Sequence, residues 1–237
     1  MDRVRLMLLA IAAILCTAAG SLPGCGKSPG NSQASSAHAP VASPQTAASK
    51  AVAPTTASSI SQPSPKPVDP MVVLHTTQGE ITVQLFLEKA PRTVENFLRG
   101  YAERGFYDQT IFHHVEPGLM LIAGGYTAEL QRKPARAPIY NESRNGLSNR
   151  RGTVAMIRDP DAPHSATSEF FVNLSDNPDF DFKPADEDDM PGYCVFGEVI
   201  SGMDVVDRIA QLPTASQGDF TKVPSPPVAI VEIKRLQ

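Results

Sequence analysis

Residues 72–88 read Val72-Val73-Leu74-His75-Thr76-Thr77-Gln78-Gly79-Glu80-Ile81-Thr82-Val83-Gln84-Leu85-Phe86-Leu87-Glu88. Val72 to His75 is a short apolar run that stops at a turn signal, Gln78-Gly79. Beyond it Ile81, Val83, Leu85 and Leu87 alternate with Thr82, Gln84, Phe86 and Glu88, the period of a strand with one buried face. The two runs make a hairpin. The period then changes: Val94, Phe97, Leu98 and Tyr101 fall at i, i+3, i+4 and i+7 on an amphipathic helix, with Pro91 in its first turn and Gly105 as its stop. Further strands are expected at 110–115, 119–122, 153–158, 169–174, 194–200 and 228–235. A second helix, Met203 to Leu212, is expected to bury Met203, Val206 and Ile209 or Ala210. Eight short strands with two helices predict an all-β fold, a closed eight-stranded antiparallel barrel capped by the helices. Periodicity alone also allows an open β-sandwich.

This pattern occupies Met71 to Gln237 of a 237-residue chain that is 41% hydrophobic and 19% charged, enough for one sizeable domain with appendages. The chain's formal net charge is −4, but 71–237 holds 16 Lys and Arg against 23 Asp and Glu and carries −7. So acidic a domain argues against general nucleic-acid binding. Three Cys exclude a disulfide-stapled scaffold and a Cys₄ zinc module.

Residues 1–24 read as an export leader. Arg3 and Arg5 precede an uncharged apolar run of 14 residues, Leu6 to Ala19, too short for a comfortable membrane span. It ends at Leu22-Pro23-Gly24-Cys25, which is similar to the Leu-x-Gly-Cys of bacterial lipoproteins, although Pro23 is unusual in its slot. That likeness implies lipidation of Cys25; an ordinary cleaved signal and an uncleaved anchor are the alternatives. With Cys25 lipidated at the mature N-terminus, Cys194 is the only other thiol and no intrachain disulfide forms. Residues 25–70 read as a tether: 30 of the 45 residues from 26 to 70 are Ala, Ser, Thr or Pro and none is aromatic. Such a stretch buries too little apolar surface to offset the entropy of ordering it. The expected location is exported, in the periplasm or on the extracytoplasmic face of a membrane, touching that membrane through the lipid only.

Metal chemistry has weak support. His113 and His114 are adjacent on a strand and are expected to face opposite ways, so they make no chelating pair. His75 and His164 lie elsewhere. Asp186-Glu187-Asp188-Asp189 lacks the glycine-punctuated spacing of a calcium loop and reads as a solvated acidic loop. No metal and no cofactor is expected.

A series of segments carries more. Gly105-Phe106-Tyr107, Thr110-Ile111-Phe112-His113, Gly118-x-Met120, Gly124-Gly125, Asn145-Gly146-Leu147 and Arg151-Gly152-Thr153-Val154-Ala155-Met156 run in order. They are followed by Pro163-His164-Ser165-Ala166-Thr167-Ser168-Glu169-Phe170-Phe171, Gly192-Tyr193-Cys194-Val195-Phe196-Gly197-Glu198-Val199 and Gly202-Met203-Asp204-Val205-Val206. Together they resemble the cyclophilin family of peptidyl-prolyl isomerases, its short bacterial members most closely. The resemblance implies an eight-stranded barrel with a packed interior and an outer groove that takes proline-containing polypeptides; a monomer is expected, although the sequence itself is silent on oligomeric state.

Rotation about a peptide C–N bond crosses a barrier of ~18–20 kcal/mol and exchanges X–Pro isomers over tens to hundreds of seconds. Twisting removes amide resonance and returns a lone pair to nitrogen. An apolar socket therefore favours the twisted state, and a donor aimed at nitrogen acts only there. In the family the donor is an arginine. Carried over by position, the socket comprises Leu119, Met120, Phe171, Phe180 and Tyr193, with Phe112 and Ile122 also in the substrate-binding set. An aromatic wall falls at Asp179 or Phe180, depending on a one-residue gap. By period two, Glu169, Phe171 and Asn173 share one face and Phe170, Val172 and Leu174 the other, so Glu169 and Phe171 can line the groove while Phe170 packs the core.

The departures cluster. His114 stands where the arginine is usual, and Ile122 and Glu169 replace two glutamines beside it. Histidine is shorter than arginine and mostly neutral near pH 7, so weakened turnover is expected. His114 and Glu169 are the candidate catalytic residues, with Glu169 expected to raise the pKa of His114 and keep it cationic. Arg158 is a second candidate donor, although a solvated strand-end charge is the preferred reading. Three function classes follow: a prolyl isomerase assisting the folding of exported proteins, which is favoured; a proline-peptide binding module or chaperone with little turnover; and a hollow carrier barrel of lipocalin type.

Overall fold

A computed structural model describes residues 68–184 and 191–236. The leader, Cys25, the tether up to residue 67 and Asp186–Asp189 lie outside the described residues. The described residues form ten strands: β1 (Met71–Thr76), β2 (Gly79–Leu85), β3 (Thr110–Glu116), β4 (Met120–Thr127), β5 (Thr153–Met156), β6 (Phe170–Asn173), β7 (Val195–Ser201), β8 (Thr214–Gln217), β9 (Phe220–Pro224) and β10 (Ala229–Arg235). Eight of them close into a barrel in the order β1-β10-β3-β4-β6-β5-β7-β2, every neighbouring pair antiparallel. Closure leaves no free edge, and it excludes the open sandwich. The remaining two, β8 and β9, form a separate hairpin. The sequence pattern did not foresee that hairpin: Thr214-Ala215-Ser216-Gln217 is too polar to show a buried face.

The first helix, α1 (Pro91–Glu95), continues as a π-helical turn over Asn96–Tyr101 and a short 3₁₀ turn to Arg104. Gly105, at φ +66, ends it in the left-handed conformation that glycine adopts at least cost. The second, α2 (Met203–Ala210), buries Val205, Val206 and Ile209; Met203 and Ala210 are only partly buried. Both helices pack their apolar faces into the cluster that fills the barrel. Phe97 packs among the aromatic rings of the interior, with ring centroids 5.2 Å from Tyr107, 5.6 Å from Phe170 and 5.2 Å from Phe196. The interior is packed with side chains such as Phe112, Leu121, Val154 and Val172, which rules out the carrier reading.

Period two holds on β6. Phe170, Val172 and Leu174 join the interior, and Phe171 joins a second cluster on the outer face. It fails on β3. Phe112 pairs with Ala123 and His114 with Ile122, so two residues on β3 advance against one on β4. His113 is the extra residue of this bulge. It lies against the rings of Tyr126 and Phe220, outside the barrel, and His114 is outside as well. The expectation that the two histidines face opposite ways is therefore corrected by the register. Phe112 needs correcting too. Its partner Ala123 faces inward, so Phe112 is fully buried in the core and contributes nothing to an outer groove.

Candidate functional site

Phe171 is the middle of the outer cluster because the pairing puts it there: Ile122 lies across from it on β4 and Ala155 on β5. Met120, Phe180 and Tyr193 join the same cluster, and Leu119 packs at its margin. Three rings close into a triangle, with centroids 5.8 Å apart for Phe171–Phe180, 5.6 Å for Phe171–Tyr193 and 5.4 Å for Phe180–Tyr193, all near edge-to-face. Phe180 is thus the aromatic wall; Asp179 turns away to Lys183 at 3.3 Å. The floor is closely covered, Phe171 being 1% and Met120 2% exposed.

Backbone and amide groups hold the triangle. The Tyr193 N–H donates to the Phe180 carbonyl (2.8 Å), and buried Asn149 donates through Nδ2 to the same carbonyl (3.1 Å). Asn173 donates to Asn149 Oδ1 (3.2 Å), and Asn177 donates to the Leu119 carbonyl (3.1 Å). Asn149 and Asn177 escaped sequence reasoning, since a polar residue in a turn carries no periodic signal, whereas Asn173 is on β6.

The polar side of the site differs from expectation. His114, 7% exposed, sits beside Ile122 in register, and its Nε2 is 3.8 Å from Glu116 Oε2. Glu116 is in turn held by Lys222 of β9. Burial, then the neighbouring His113 and Lys222, push the His114 pKa down to about 4. Glu169 is not its partner. One Glu169 oxygen lies 3.3 Å from His113 Nε2 and the other 3.4 Å from Arg132 Nη2. Gly125 makes room for that carboxylate, because a Cβ there would stand 2.7 Å from Glu169 Cδ. The expectation that Glu169 keeps His114 cationic is therefore overturned: the bulge hands Glu169 to His113 and leaves His114 neutral at pH 7. The Nδ1 atoms of His113 and His114 are buried without a hydrogen-bond partner.

Arg158 is not the solvated charge it was read as. It is 5% exposed, and its guanidinium lies 4.8 Å from the centroid of the Tyr193 ring. Nε donates to the Gly192 carbonyl (2.9 Å), and Nη1 to the carbonyls of Asp159 and Pro160 (2.9 and 3.0 Å). Burial lowers its pKa, yet an arginine starts so high that it stays charged at neutral pH. Behind Tyr193, Cys194 lies in the core with its thiol pushed up to about 12 by burial, which makes it a poor nucleophile. Among the described residues no three His, Cys, Asp or Glu side chains gather as a metal site requires.

The family model for cyclophilin-type peptidyl-prolyl cis-trans isomerases matches residues 71–235. The chain is 46% identical over 163 residues to peptidyl-prolyl cis-trans isomerase B of Escherichia coli, covering 69% of this chain and 98% of that protein. It is also 46% identical over 165 residues to the isomerase cyp18 of Streptomyces antibioticus, covering 70% and 98%. In fold it is similar to a cyclophilin-type isomerase of Cryptosporidium parvum, with a TM-score of 0.56 at 24% identity over 71% of this chain and 98% of that one. With its closed barrel and a family match running from β1 through β10, the chain belongs to the cyclophilin-type peptidyl-prolyl cis-trans isomerases.

Proposed function

We propose that residues 71–237 isomerise X–Pro bonds in exported proteins, slowly, as a monomer. On this reading the leader of residues 1–24 is removed, Cys25 carries a lipid at an extracytoplasmic membrane face, and 25–70 is the tether. The strongest support for the site is the meeting of Met120, Ile122, Phe171, Phe180 and Tyr193 on one outer patch beside His114. The proline ring rests on Phe171 between Met120 and Tyr193. The patch disfavours the charge-separated planar amide, so it favours the twisted one. A guanidinium on the nitrogen lone pair would add a charged donor. A neutral imidazole in that place offers at most a neutral one, which is the reason for low turnover. A test is acceleration of a proline-limited refolding phase by substoichiometric protein. Labelled-palmitate incorporation that disappears in Cys25→Ala tests the anchor.

The neutral His114 specifically favours a second reading, a proline-peptide binding module. Saturable peptide binding without any acceleration of refolding selects it over the isomerase.

A further inference from the structure

A groove lies away from the aromatic triangle. It measures about 590 Å³ and runs between the first helix and the extended segment 136–140. Arg92 and Arg99 stand seven residues apart on one face of the helix, Arg104 follows in the 3₁₀ turn, and Arg136 approaches from the opposite wall. Four of the domain's eleven arginines thus ring one depression in a domain of net charge −7, and among the described residues that line it Glu95 is the one carboxylate. That carboxylate neutralises little. It reaches Arg99 at 3.7 Å with both side chains exposed, a pair of small worth. Among the described residues the Arg92 and Arg136 guanidinium groups form no salt bridge, although the Glu142 carboxylate accepts from the Arg92 backbone N–H at 3.2 Å.

Both walls are anchored. The Tyr101 hydroxyl accepts from the Arg136 N–H at 2.9 Å, and the Arg136 side chain crosses Gly100, where a Cβ would meet its Cδ at 3.7 Å. Ile139 bridges to Ala166, and the Tyr140 ring stacks on His164 at 4.1 Å. Pro138, Ile139 and Tyr140 give that wall an apolar surface. Arginines facing a partly apolar wall match carboxylates spaced along an extended chain, since each guanidinium fork takes a carboxylate bidentately. A flat bilayer does not enter a groove, and a single phosphate occupies only one end of it.

We propose that this groove docks an acidic, extended polypeptide segment, a second contact for client chains beyond the proline socket. The two sites are linked through the chain around Ala166: Asn96 donates to the Thr167 carbonyl at 2.7 Å, and Thr167 with Glu169 lines a smaller pocket that includes Arg158.

The test is fluorescence anisotropy with the full chain and a labelled, proline-free peptide of alternating Glu and Ser. Binding is expected, weakening steeply between about 50 and 200 mM salt as screening grows. In Arg92→Glu/Arg136→Glu it should weaken by at least about tenfold. Turnover of an uncharged Ala-Pro peptide and the melting temperature should stay unchanged, because both residues are exposed and outside the socket; that separates failure here from failure of the isomerase reading. No peptide binding, or equal binding by the variant, overturns the proposal. So does capture of phosphatidylglycerol vesicles or inorganic phosphate without capture of the peptide.

Discussion

Glu169 lies 3.3 Å from His113, while the adjacent His114 turns to Glu116 at 3.8 Å. One extra residue on β3 separates the two imidazoles into different charge environments, and it decides which of them neighbours the groove. The neighbour is the histidine with the depressed pKa.

That depression carries a stability consequence. A free imidazole titrates near 6.5, and His114 in the fold near 4. Between those values the unfolded chain takes up a proton that the folded chain refuses, so stability is full above about pH 6.5 and is lost as pH falls toward 4. The loss is of order 3 kcal/mol. Urea melts across this range should show a steeper decline for the native chain than for His114→Gln. Turnover, by contrast, should be flat between pH 5 and 8, since His114 stays neutral throughout.

Arg158 is expected to position Tyr193. Replacing it with Gln removes the stacked guanidinium and its bond to the Gly192 carbonyl. At about 1 to 2 kcal/mol for a desolvated contact of this kind, kcat/KM should fall roughly tenfold. A KM-weighted loss with a normal near-UV spectrum would support positioning, whereas unaltered kinetics would return Arg158 to the role of a bystander.

Phe97→Ala should cost about 3–5 kcal/mol in urea unfolding, because the ring fills the space between Tyr107, Phe170 and Phe196 and the barrel walls relax only partly around the hole. A loss below 1 kcal/mol would mean that the interior is far looser than described.

Cys194 offers a simple check on burial. With its thiol at about 12 it should resist iodoacetamide at pH 8 in the folded protein and react fully in denaturant, as read by mass. Rapid labelling of folded protein would contradict its placement in the core.

Local periodicity carried most of the barrel. Ile81 to Leu85 alternates because one face of β2 is buried, and the placement of Phe170 inside and Phe171 outside follows from the same rule. The β3 bulge was beyond that reach. A register shift arises between strands, and the run Phe112-His113-His114-Val115 looks regular on its own, so neither the inward turn of Phe112 nor the pairing of Glu169 with His113 is visible in it. Lys222 and Phe220 act on β3 from a hairpin about a hundred residues downstream, and Arg132 reaches Glu169 from a loop. Such partners are set by tertiary placement and leave no trace in spacing. Arg158 misled for a related reason: a charge at a strand end is usually solvated, but here Tyr193 and three carbonyls cover it.

Whether a neutral side chain at position 114 limits an otherwise competent proline socket is settled most directly by exchange NMR on a short Ala-Pro peptide at pH 7, with the native chain and His114→Arg compared at equal concentration. A charged donor restored to the groove should speed exchange by about 10- to 100-fold with little change in peptide affinity. Exchange in the native chain as fast as, or faster than, in His114→Arg would contradict this, and would move the origin of catalysis away from His114.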